Sequence, residues 1–163
     1  YPNARYLMWK DEWDFWFSDA AFKKVAEHYS AMLRPEVFMK AARGQLGPIR
    51  DRIELLTKES EVLPGVHVHA THGHTPGHIA ISFFSDEEEL FFVGDAVVFP
   101  FLIEQPDIHP IFDLMPDKAD ATKRWLCDLL AEKKAWVLAQ HFPPFPSLGH
   151  IVKKGAGWKW QPV

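Results

Sequence analysis

The sequence predicts a mixed α/β fold, and three observations predict it. Apolar residues recur at three- and four-residue spacing in two separate stretches, beginning near Asp19 and near Asp117. Between them lie runs of alternating or continuous apolar residues, Val66-His67-Val68-His69-Ala70, Ile79 to Phe84 and Leu90 to Val93, bounded by turn residues. The chain has 163 residues, 47% apolar and 25% charged, which suits one soluble globular domain with a real core. No repeat or linker interrupts it, so residues 1–163 are expected to form a single unit.

The elements follow in order. Ala4 to Trp9 reads as a short strand. Ser18 is a good N-cap for a helix that Pro35 ends, with Phe22, Val25, Ala26, Tyr29 and Leu33 on one side. Glu36 to about Gln45 is a second helix, broken by Gly44 and Gly47-Pro48. Ile49 to Thr57 is ambiguous. Val62 to Ala70 has strand composition. Ile79 to Phe84 and Leu90 to Val93 form an antiparallel hairpin, with the acidic run Asp86 to Glu89 as its turn. Pro100 to Pro116 is an irregular apolar loop with four of the 13 prolines. Asp117 to Lys134 is a helix with Trp125, Leu126, Leu129 and Leu130 on its inner face. Ala135 to Gln140 is a buried strand, and the tail after it is rich in Pro and Gly.

Bulk properties narrow the function. Net charge is -4 and the lysines and arginines are scattered, so nothing points to nucleic acid. No apolar run is long enough to span a bilayer. A single cysteine, Cys127, precludes an intramolecular disulfide and reads as a buried structural thiol, which leans to the cytoplasm and leaves a lost upstream signal peptide open. The aromatic cluster Trp9, Trp13, Phe15, Trp16 and Phe17 reads as core or as the wall of an apolar ligand pocket.

The histidines carry the sharpest signal. Of nine, five fall between His67 and His78, in the stretch that ends THGHTPGH. Metal binding would explain them, and so would a polar loop. More specific is a shared placement. His78 stands where a strand begins, Asp95 just past a strand and its Gly94, and His141 just past another strand. Residues at strand ends converge on one rim of a sheet. Two imidazoles and a carboxylate suit a borderline dication such as zinc.

THGHTPGH, then Val93-Gly94-Asp95, then Ala139-Gln140-His141 resemble the metallo-β-lactamase superfamily. YPNARYL, EWDFW, LPGVHVHATHGHTPGH and HFPPFPSLGHI extend the resemblance to its branch around methyl parathion hydrolase, over essentially the whole chain. The resemblance implies an αββα sandwich with two divalent metals, expected to be zinc, at one edge of the paired sheets. A hydroxide between them would attack an ester, lactone or phosphotriester. Carried over, His78 would bind the first metal, His141 the second, and Asp95 both, which makes Asp95 the catalytic carboxylate. Trp16 matches an aromatic of the substrate pocket. Val98 stands where lactonases of the superfamily often carry a Tyr, which favours the parathion-hydrolase-like branch. His72 and His74 would be loop residues or would support the ligands, and His150 would position the loop that follows the last buried strand.

The family's HxHxDH motif is missing, since Thr71 stands where the stretch His67-Val68-His69-Ala70-Thr71-His72 would need Asp. Its natural place is upstream of Tyr1, so the chain resembles the C-terminal half of the domain. Each metal would then have two ligands here, sharing Asp95, where a catalytic zinc usually keeps three. This chain alone is expected to bind metal weakly or not at all and to be inactive. Its exposed sheet face would be covered by self-association or by a missing N-terminal half. Two other readings stay open: a non-catalytic interaction module, and a metal-binding protein using the cluster from His67 to His78.

Overall fold

The computed structural model describes residues 1, 3–28 and 35–163. Tyr29 and Leu33, expected on the first long helix, lie outside the described residues. Backbone contacts group the chain into two compact units, Tyr1–Thr57 and Lys58–Val163. No Pro- or Gly-rich linker marks that boundary.

The first unit contains β1 (Tyr6–Trp9), α1 (Lys10–Phe17), α2 (Asp19–His28), α3 (Pro35–Leu46), a 3-10 segment (Gly47–Arg52) and β2 (Ile53–Leu56). The Ser18 hydroxyl accepts from the Ala21 amide and so caps α2 as expected. The aromatic stretch after β1 is helical, with Trp13 stacked on Phe17 at 4.0 Å between ring centroids, one turn apart. The ambiguous stretch after Gly47 ends as β2, which pairs in parallel with β1, Tyr6 beside Ile53. Arg52 fixes this ladder by donating to the Tyr1 and Ala4 carbonyls at 2.9 and 2.7 Å.

The second unit is built on one seven-stranded sheet. In sequence it runs β3 (Ser60–Leu63), β4 (Val66–Ala70), β5 (Ile79–Ser85), β6 (Glu88–Phe92), α4 (Pro100–Glu104), α5 (Pro116–Lys133), β7 (Trp136–Leu138), β8 (Leu148–Lys154) and β9 (Gly157–Pro162), and that strand order is also the spatial order. Every pair is antiparallel except β6 and β7, which are parallel because α5 lies between them in the chain.

Four local expectations change. Val62 to Ala70 is not one strand, because Pro64-Gly65 turns β3 into β4. In the acidic run only Asp86 and Glu87 make the turn, both with positive φ, while Glu88 and Glu89 enter β6. Part of the loop after Pro100 is helical, with Leu102 and Ile103 buried in α4. The Pro- and Gly-rich tail ends in the β8–β9 hairpin, whose Trp158 and Trp160 alternate inward around exposed Lys159.

The core joins α5 to one face of this sheet. Leu126, Cys127 and Leu130 pack with Phe91, Val93, Val137, Ile151, Trp158 and Trp160. Full burial of each large side chain contributes roughly 1.5–3 kcal/mol, so this layer holds the strand ends still. No helix among the described residues is long and apolar enough to cross a membrane.

Candidate metal centre

Topology brings three candidate residues to one end of the sheet. β5 runs antiparallel to β6, and β6 parallel to β7. The start of β5, the end of β6 and the end of β7 therefore share one edge. His78 directly precedes β5, Asp95 sits in a 3-10 turn (Gly94–Ala96) after β6, and His141 follows β7 by three residues.

Contacts join them. The Asp95 carboxylate meets His141, with Oδ1 3.0 Å from Nε2. The Asp95 backbone N–H donates to His78 Nε2 at 3.0 Å. Gly94 makes this approach possible. Its φ is +53°, and a Cβ there would stand 2.8 Å from His78 Nε2. The Gln140 side-chain amide donates to Asp95 Oδ1 at 2.9 Å.

His78 is oriented from behind. Its Nδ1 lies 2.8 Å from the hydroxyl and 3.2 Å from the carbonyl of fully buried Thr71. A proton on Nδ1 satisfies the Thr71 carbonyl and leaves the Nε2 lone pair to accept from the Asp95 N–H, a bond that a cation at Nε2 would displace. That is the tautomer a ligand needs. Burial, reinforced by the neighbouring His74, pushes the His78 pKa down to about 4, so the ring stays neutral at physiological pH.

The five-histidine stretch does not act as one cluster. His69 meets Ser82 Oγ at 2.9 Å and leans on Phe91. His72 Nδ1 donates to the His78 carbonyl at 3.0 Å. His74 reaches Asp113 and Asp95 instead. His150 does not hold a loop. It lies within β8, its ring tilted against Trp136 at 4.2 Å between centroids and its Nδ1 donating to the Ala135 carbonyl. Trp16 belongs to α1 in the first unit, where its indole N–H donates to Glu12. Val98 is buried, and the exposed aromatic beside His141 is Phe99, 6.1 Å away between centroids.

In kind, these donors fit a divalent cation: two oriented imidazoles and a carboxylate. In number they fall short, because among the described residues no group of three His, Cys, Asp or Glu side chains could hold a metal. Thr71, Asp113 and Gln140 were missed in the sequence. Gln140 adjoins His141, and Thr71 opens the histidine stretch, but nothing in the spacing marks Asp113.

The family model for the metallo-beta-lactamase superfamily matches residues 9–141. The chain belongs to the metallo-beta-lactamase superfamily. Among solved structures, the chain is similar to AbOPH, a hydrolase in the beta-lactamase superfamily, at 26% identity and a TM-score of 0.82, covering 99% of this chain and 56% of that one. It is similar to AidC, a dizinc quorum-quenching lactonase, at 27% identity and a TM-score of 0.86, covering 99% and 55%. A probable metal-dependent hydrolase from Staphylococcus aureus, 17% identical with a TM-score of 0.69, shares the fold. The chain thus spans about half the length of each. No curated protein sequence matches it. The α/β class and the metallo-beta-lactamase fold expected from the motifs hold, and the family and its structural neighbours are hydrolases.

Proposed function

We propose that this chain supplies His78, Asp95 and His141 to the two-metal site of a hydrolase that cleaves an apolar ester, lactone or phosphotriester. The observation that carries this reading is the meeting of Asp95 with His78 and His141 at one end of the sheet. In this reading His78 holds the first cation, His141 the second, and Asp95 both.

When bound, a pair of divalent cations, zinc in this proposal, supplies hydroxide near neutral pH and polarises the oxygen of the scissile group. The chain's own residues prepare that site. Thr71 fixes the His78 tautomer, and Gln140 holds Asp95 Oδ1. Phe99 and Phe101 stack at 5.8 Å beside His141 and offer an apolar wall for the substrate. Val98 is proposed to bias the choice of substrate, its apolar side chain favouring an aryl phosphotriester or ester over a lactone.

With only these ligands, the chain alone is proposed to be inactive and to bind metal weakly. Its partner is either a second copy or further sequence of the same protein. That partner would cover the sheet face where Phe83, 44% exposed, lies beside Leu90, Trp136 and Leu148 at an open groove of about 360 Å³. A non-catalytic module is the second reading, favoured by the lack of a three-residue metal group among the described residues.

Activity separates the two readings. The protein that carries this chain is assayed on a lactone and phosphotriester panel with zinc, cobalt or manganese. Metal-dependent turnover that Asp95→Ala abolishes supports the hydrolase. No turnover with any of these metals, or turnover indifferent to Asp95→Ala, overturns it.

A further inference from the structure

We propose that His74 is a positioning residue for the Asp95 carboxylate, with Asp113 as its anchor. The proposal rests on the reading of Asp95 as a metal ligand and extends it to the groups that aim that ligand.

The geometry runs in a line. Asp113 is 6% exposed, and its Oδ1 stands 3.0 Å from His74 Nδ1. A buried carboxylate is costly unless paired, so this contact fixes which way the ring faces. The opposite nitrogen, Nε2, then lies 3.6 Å from Asp95 Oδ2. The two Asp95 oxygens are thereby distinguished. Oδ1 is held by Gln140 and His141, while Oδ2 faces His74.

The backbone around His74 leaves the ring little freedom. Its carbonyl accepts from the Leu114 N–H, and the Gly73 carbonyl from the Met115 N–H, both at 3.0 Å. The Thr122 hydroxyl donates to the His72 carbonyl at 2.7 Å. Gly73, at φ +141°, presses so close to α5 that a Cβ would lie 2.3 Å from the Ala119 Cα. The segment bearing Asp113 and the loop bearing His74 are thus tied to each other and to α5. A ring held at Nδ1 by Asp113 sets the boundary that Asp95 Oδ2 meets 3.6 Å away, and groups that orient ligands in this way are typically worth about 10–100-fold in metal affinity.

The test follows the Asp95 carboxyl carbon of this chain by NMR, alongside a zinc titration read from the imidazole resonances. His74→Phe and Asp113→Ala are expected to move the Asp95 carboxyl resonance and to weaken zinc binding about tenfold. Asp113→Asn keeps an acceptor for the Nδ1 proton and is expected to preserve both. A purely structural role would lower the melting temperature in the first two variants yet leave the Asp95 resonance in place. That result overturns the proposal. Asp95→Ala separates the two layers. Unchanged zinc binding in that variant removes the metal-site reading, whereas the carboxyl comparison still decides the role of His74.

Discussion

Replacing Gly94 with Ala strikes the site at its tightest backbone approach. Two costs add. Ala at φ +53° enters the left-handed region, worth roughly 1–2 kcal/mol. The new methyl would sit 2.8 Å from His78 Nε2 and 3.1 Å from Cε1, so the ring must move, and Thr71 holds its other side. Moving it breaks the bond from the Asp95 N–H and leaves that donor unpaired, at a cost of about 1–3 kcal/mol. The sum is about 2–5 kcal/mol. For a unit the size of Lys58–Val163, at roughly 4 °C per kcal/mol, the melting temperature should fall by about 8–20 °C. Thermal unfolding followed by circular dichroism reads this, and NMR of the His78 imidazole reads the displacement. A loss under about 1 kcal/mol with an unmoved His78 resonance would refute the packing of Gly94 against His78.

Two further outcomes follow from burial. Burial lowers the His69 pKa below its ordinary value of 6.5. The unfolded chain therefore binds more protons below that pH, and stability is full above pH 6.5 and declines as pH falls toward the lowered value. His78 shifts in the same direction, so the isolating variant is His69→Gln, which should flatten part of the decline in urea unfolding measured from pH 7 to 5. An identical decline would remove His69 from the account. Cys127 is fully buried, and burial pushes its thiol well above the usual range. It should resist iodoacetamide in the native chain and react fully in denaturant. Rapid native labelling would contradict this.

What the sequence disclosed depended on how local each signal was. The helix from Pro116 showed itself because Leu126, Leu129 and Leu130 recur at three- and four-residue spacing. The β5–β6 hairpin was legible because two apolar runs flank one acidic turn. The β1–β2 pair was not, since four-residue strands pairing in parallel across some 45 residues leave no local mark. The β8–β9 hairpin hid behind three prolines, although Trp158-Lys159-Trp160 already carried a strand's period of two. At the site, His78, Asp95 and His141 were legible as strand-end residues. The residues that aim them were not, because Asp113 acts from an irregular loop 39 positions beyond its partner His74.

Zinc titrated calorimetrically into this chain, beside its His78→Ala, Asp95→Ala and His141→Ala variants, tests the central claim most directly. The account predicts weak binding, no tighter than about micromolar, that each of the three substitutions weakens further. Sub-micromolar affinity in the unaltered chain would contradict it. So would binding that survives all three substitutions and disappears in His72→Ala.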